Sequence, residues 1–232
     1  MSLRARWAIS PYFVEGTFGR RCPAGEALRA GLEGCGSISI HAPNARSLLV
    51  TITNAPATCT MTGSVGPVLP REAGHLAAGA LTPPRYPFTV ASIAYLLATD
   101  SVRCESTLAH HVELYVAPTA TPPNDPTTAI STTSIDVAAS AAATAMTTGD
   151  RGVTLTLDPA ITLGDGQVLV VAIALAVNGD GSKSLCVASC TDEVSMVGQN
   201  WWSNAAAPPF AWTDLKHFGF DSELRISATA AE

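Results

Sequence analysis

Along most of this chain, apolar residues recur at every second position, and rarely at the three-and-four spacing of a helix. SLLVTITNA, residues 47–55, alternates Leu48, Val50 and Ile52 with Leu49, Thr51 and Thr53. HHVELYVAP places Val112, Leu114 and Val116 on one side and His111, Glu113 and Tyr115 on the other. GVTLTLDP sets Val153, Leu155 and Leu157 against Thr154 and Thr156, and SELRISATA sets Leu224, Ile226 and Ala228 against Arg225, Ser227 and Thr229. Each pattern predicts a half-buried strand. GSISIHA puts Ile38 and Ile40 on one side, and YPFTVASIAYLLA, residues 86–98, is long enough for a full strand. GDGQVLVVAIALAV is apolar on both faces, as in a central strand covered from both sides. NGDGS, LGDG, TTGDRG and several Pro pairs mark the turns between them.

Helical signals are few. AGEALRAGL, residues 24–32, allows one or two turns, and REAGHLAAGAL, residues 71–81, is read as a short helix or a loop because two glycines interrupt it. With many strands and no helices between them, βαβ folds are excluded. The expected fold is all-β: an antiparallel β-sandwich, jelly-roll-like, with at most one or two short helices, an immunoglobulin-like sandwich being the second topology. One domain over residues 1–232 is expected. The alternative is two domains, 1–117 and 149–232, joined by the Thr/Ser/Pro-rich stretch between them. That stretch contains AISTTSIDVAA, whose β-branched residues at strand spacing predict a weak edge strand.

Composition sharpens this picture. In 232 residues, 47% are hydrophobic and 14% charged, so a sizeable core is available and disorder is excluded. The net charge of −6 argues against nucleic acid or an anionic membrane as partner. The longest apolar run, VLVVAIALAV, is half of the roughly 20 residues a membrane-spanning helix needs, so no membrane insertion is expected. Six cysteines, Cys22, Cys35, Cys59, Cys104, Cys186 and Cys190, form no CxxC pair, which disfavours a zinc ribbon. In a lysine-poor, Thr/Ser-rich chain they read as disulfides and a secreted or cell-surface location. The favoured pairing is Cys186 with Cys190 in CVASC, and two more bridges among Cys22, Cys35, Cys59 and Cys104. The opening MSLRARWAIS lacks a signal peptide's apolar segment, so a secreted reading expects a leader removed from this sequence.

FAWTDLKHFGFDSELRISATA resembles the closing hairpin of secreted bacterial jelly-roll or β-sandwich modules, in which a Trp and Thr/Ser-Asp-Leu lead through a short loop into a final strand. YPFTVASIAYLLA, HHVELYVAP and ITLGDGQVLVVAIAL look like inner strands of the same modules, so the likeness covers residues 86–232. Where those modules often carry Tyr-Ser-x-Asp-Gly-Gly before the Trp, this chain has NWWSNAAAPPFAW. The resemblance implies an accessory or carbohydrate-binding-like domain.

Candidate chemistry follows. Trp201, Trp202 and Trp212 are candidate ligand-binding residues, because aromatic faces stack on sugar rings. Trp201 and Trp202 are adjacent, so on a strand they point opposite ways and at most one enters the core. Trp212, before a tight turn, is expected to pack in the core. Asn178, Asp180 and Ser182 in NGDGS alternate oxygen-bearing side chains in a spacing that suits Ca²⁺, though a hairpin turn explains the same letters and Ser189 stands where an EF-hand has Glu. The histidines, His41, His75, His110, His111 and His217, form no HxH or HExxH. No GxSxG nucleophile motif occurs, so no catalytic residue is assigned. Glu113, Glu193 and Asp214 are the acids that a glycosidase pair would draw on. The expected function is an extracellular non-catalytic module that binds carbohydrate or a surface polymer. The alternative is a structural or adhesive module that self-associates, and a secreted hydrolase is the third reading.

Overall fold

The computed structural model describes residues 4–9, 12–17, 50–54, 61–100, 102–139, 144–145, 151–190, 197–219 and 222–231. Two compact units divide the chain, Met1–Arg46 and Ser47–Glu232. In the first, β1 (Arg4–Ile9) and β2 (Tyr12–Thr17) form an antiparallel hairpin. The alternation pattern predicts no strand over these residues, which carry Trp7, Tyr12 and Phe13. The expected helical turn over residues 24–32 and the strand around Ile38 and Ile40 lie outside the described residues, as do Cys22, Cys35 and Cys59.

The second unit is an antiparallel β-sandwich. One sheet has the order β15-β12-β6-β10-β9, where β15 is Glu223–Leu224, β12 Val187–Cys190, β6 Phe88–Leu97, β10 Arg151–Leu163 and β9 Thr144–Ala145. To it are added β16 (Ile226–Ala230) beside β6, β3 (Thr51–Thr53) beside β16, and β4 (Met61–Val65) beside β12. The other sheet has the order β14-β13-β5-β11-β7-β8. Here β14 is Trp212–Asp214, β13 Asn200–Ser203, β5 Leu76–Leu81, β11 Val168–Ala174, β7 His110–Ala117 and β8 Ser131–Val137. All pairings between named strands of the unit are antiparallel. The chain crosses repeatedly from sheet to sheet, as between β5, β6 and β7.

Alternation decides which side chains fill the space between the sheets. Phe88, Val90, Ile93, Tyr95 and Leu97 from one sheet meet Val112, Leu114, Val116, Leu169, Val171 and Ile173 from the other. The intervening residues of β11, Val168, Val170 and Ala172, point to the outer face and are buried as well. With Leu76, Ala78, Ala80, Tyr115, Ala117 and Phe210 they make a second apolar layer outside the six-stranded sheet. This is why VLVVAIA reads as apolar throughout: β11 lies between β5 and β7 and is covered on both faces.

REAGHLAAGAL is neither helix nor loop throughout. It holds a 3-10 turn at Pro70–Glu72 and then β5, buried along its whole length. Helix propensity of an Ala-rich stretch is worth a few tenths of a kcal/mol per residue, and pairing with β11 and β13 overrides it. Small residues are required there. A Cβ on Gly79 would stand 2.7 Å from Asn54 Nδ2 and 3.0 Å from Ile226 Cδ1, atoms of the opposite sheet. Asn54 Nδ2 donates to Asn200 Oδ1 at 2.6 Å, and the Leu224 N–H donates to the same oxygen at 2.9 Å. A buried polar tie thus joins the two sheets behind the glycine.

The cysteine pairing differs from expectation. Cys186 bonds Cys104, with a Cα–Cα distance of 5.5 Å, and not Cys190. Cys186 and Cys190 are four residues apart on an extended segment, about 13 Å at strand rise, which no disulfide spans. Cys190 is itself disulfide-bonded.

Candidate functional site

The tryptophans take opposite sides of the six-stranded sheet. Trp202 points inward, packs on the main core and lies 5.6 Å from the His75 ring. Trp201 and Trp212 point outward onto the second apolar layer, where Trp212 also meets Phe210 at 5.5 Å. Two loops roof this layer and are tied together. Trp212 Nε1 donates to the Pro123 carbonyl at 2.9 Å, and the Phe210 N–H donates to the Asn124 carbonyl at 2.7 Å. All three rings are half-buried against protein. The expected split between Trp201 and Trp202 is present, and Trp212 packs on the outer layer, not between the sheets.

Asn178, Asp180 and Ser182 form a self-satisfied turn. Asp180 Oδ1 accepts from the Ser182 hydroxyl at 2.6 Å and from its N–H at 2.8 Å. Asn178 Oδ1 accepts from the Lys183 N–H at 2.9 Å, and Asn178 Nδ2 donates to Ser182 Oγ at 3.2 Å. The Ser182 hydroxyl and then its N–H hold the Asp180 carboxyl below the usual range. A cation at this turn has to displace those donors.

Glu113 and Asp214 do not form a glycosidase pair. They stand on β7 and β14, with β11, β5 and β13 between them. Four strand spacings separate them by about 19 Å, well beyond the roughly 5–9.5 Å such pairs use. Glu193 lies outside the described residues.

Glu113 instead belongs to a cluster on β7 and β8. His111 Nε2 is 2.8 Å from Glu113 Oε1, and its Nδ1 is 2.8 Å from Asp136 Oδ1. The Ser134 hydroxyl donates to Glu113 Oε2 at 2.6 Å. Register explains the meeting, because His111 pairs with Asp136 and Glu113 with Ser134. Partial burial lowers the imidazole pKa, but the hydrogen bonds and charges of Asp136 and Glu113 outweigh it and leave the pKa raised. Its neighbour His110 faces the other way. There Nε2 sits 2.5 Å from the buried Tyr95 hydroxyl and Nδ1 sits 2.9 Å from the Leu108 carbonyl. Burial lowers the His110 pKa, and the Leu108 contact only partly offsets it.

A groove opens along the side of the sandwich where β8 and β10 diverge. It encloses about 470 Å³, within the range of small-molecule sites. The cause is local. Thr156 pairs with Ser92 and Ile161 with Val90, so residues 157–160 of β10 bulge against Ala91 alone. The bulge holds Asp158, Pro159 and Ala160 at one wall, and β8 supplies Ser131, Thr133 and Ile135 at the other. Thr156 and Thr162 add hydroxyls, and Leu157 and Ile161 add apolar floor; Ser134 also borders the groove, but its hydroxyl is held by Glu113. Among the described residues, no cationic side chain lines the groove and Asp158 is its one carboxylate. Neither this groove nor the His111 cluster is evident in the sequence reading. The available signal was Pro159 inside an otherwise regular strand pattern, which marks a bulge or an edge.

No family model matches the sequence, and no curated protein matches it. Among solved structures, the chain is similar to the cysteine protease and lectin-like domains of Cwp84, a surface layer associated protein of Clostridium difficile. That likeness has 14% identity and a TM-score of 0.44 over 67% of this chain and 32% of that one. The clostridial cysteine protease Cwp84 after propeptide cleavage gives 13% identity and a TM-score of 0.45 over 76% of this chain and 38% of that one. The chain spans about a third of the length of these structures.

Proposed function

We propose that this chain is an extracellular, disulfide-bonded binding module without catalytic activity, and that its ligand is a neutral polyhydroxylated polymer, such as a glycan, held in the β8–β10 groove. The observation that carries this reading is the groove's lining. Four hydroxyl-bearing residues, Ser131, Thr133, Thr156 and Thr162, alternate with Ile135, Leu157, Pro159 and Ile161 around the Asp158 carboxylate. Such a wall offers donors and acceptors to ring hydroxyls, and apolar surface to C–H faces, without demanding charge on the ligand. Asp158 accepts from two neighbouring hydroxyls of a sugar, a charge-assisted contact. The Cys104–Cys186 bridge and the bonded Cys190 support an oxidising compartment.

Titration calorimetry against a panel of neutral oligosaccharides and cell-wall fragments tests the reading. Binding is expected for at least one of them. Asp158→Ala is expected to weaken it by about tenfold or more, the worth of one hydrogen bond to a charged group. Trp212→Ala is expected to leave the affinity unchanged while lowering the melting temperature. Loss of binding in Trp212→Ala with none in Asp158→Ala moves the site to the outer layer, and no binding by the parent protein removes the glycan.

A further inference from the structure

Most carboxylates among the described residues are held by the chain's own donors. Glu72 accepts from the Val68 and Leu69 N–H groups, and Asp100 from those of Val102, Arg103 and Cys104. Asp180 accepts from Ser182, and Asp214 from the Gly198 and Lys216 N–H groups. Glu113 and Asp136 share His111. Asp158 differs. It is exposed on the β10 bulge and lines the groove, and among the described residues its carboxylate has no hydrogen-bond or ion-pair partner. The Asp-Pro dipeptide does not dictate this, because Asp125-Pro126 repeats it, and there the carboxylate accepts from the Thr127 N–H at 2.9 Å. The backbone makes the difference. Asp125 caps a 3-10 turn, whereas Asp158 lies within the long strand β10. A turn folds the donor two residues on back to the side chain, and a strand carries it roughly 6–7 Å further along.

We infer that Asp158 reads the charge of the sugar in the β8–β10 groove: it takes an ammonium-bearing amino sugar ahead of the neutral sugar, and turns away a carboxylate-bearing one. This goes beyond the neutral glycan of the proposed function and rests on the same groove. A carboxylate that no internal donor occupies keeps its full acceptor capacity for a ligand, and a charged donor satisfies it better than a hydroxyl does. Among the described lining residues no cation stands by to neutralise Asp158 or to receive a ligand anion. The net charge of −6 adds repulsion of the same sign. The hydroxyl and aliphatic lining is indifferent to ligand charge, so the discrimination falls on one residue. A unit charge about 4 Å from Asp158 in a half-open groove changes affinity by about tenfold, upwards for a cation and downwards for an anion.

Three single sugars test this on the full chain: glucose, glucosamine and glucuronic acid, titrated at low salt and below neutral pH, where the amine is protonated. The readout is the amide NMR shifts of the groove residues. Affinity is expected to fall by about tenfold from glucosamine to glucose, and by about tenfold again to glucuronic acid, with both steps shrinking as salt is added. Asp158→Asn removes the charge and keeps the shape, and is expected to bring the three sugars close together. Asp165→Asn removes one charge from an exposed turn outside the groove and is expected to leave the ratios as they were. An unchanged melting temperature confirms that each variant folds. Equal affinities in the parent overturn the inference. So does an Asp158→Asn variant that keeps the order, or an Asp165→Asn variant that levels it to the same extent, which would assign the effect to net charge. Neutral oligosaccharides that bind while the charged sugars go undistinguished leave the glycan reading standing and sink this one. Glucosamine bound through Asp158, with no neutral sugar bound, does the reverse.

Discussion

Single residues carry the sharpest consequences. Gly79 is glycine because Asn54 crosses behind it to reach Asn200. Gly79→Ala therefore forces the amide aside and is expected to cost about 1–3 kcal/mol, the usual range for overpacking, read as a lower melting temperature. The adjacent histidines respond to pH in opposite senses. His111 has its folded pKa raised above the unfolded value of about 6.5, so its clamp of β7 to β8 is complete below that value and is lost as pH rises through the raised one. His110 has its folded pKa depressed, so its contribution is present above about 6.5 and is lost as pH falls. The melting-temperature difference between the wild type and His111→Gln is thus expected to be largest near about pH 5.5 and to shrink towards about pH 8. A difference that grows with pH removes the clamp.

At the scale of elements, strands with clean alternation were legible from sequence. β7, β10 and β16 each divide their side chains between two environments as their letters predict, and β11 is covered on both faces as its unbroken apolar run requires. β5 was not legible, because Leu-Ala-Ala-Gly-Ala-Leu carries no period and its strand identity comes from neighbours on both sides. The groove and the His111 cluster were hidden for a related reason. His111 and Asp136 are 25 residues apart, and only the β7–β8 register brings them together. The tryptophans were found, and adjacency fixed that Trp201 and Trp202 diverge, but which one faced inward depended on the sheet order. The disulfide also belongs to this scale. Cys104 and Cys186 are separated by 82 residues and fasten the approach to β7 against the approach to β12. Replacing both with Ala is expected to cost about 2–5 kcal/mol, seen as a lower denaturation midpoint with an intact sheet signal in the far ultraviolet.

For the whole molecule, sidedness follows from where the aromatic residues went. Phe210, Trp201 and Trp212 hold a roof over one sheet's outer face, so the broad surface on which a sugar chain stacks on rings is closed there. What remains open on that sheet is its β8 flank. Ser131, Thr133 and Ile135 of that flank line the groove. Under the proposed function, a polymer therefore meets the sandwich along its flank, where each sheet supplies one wall.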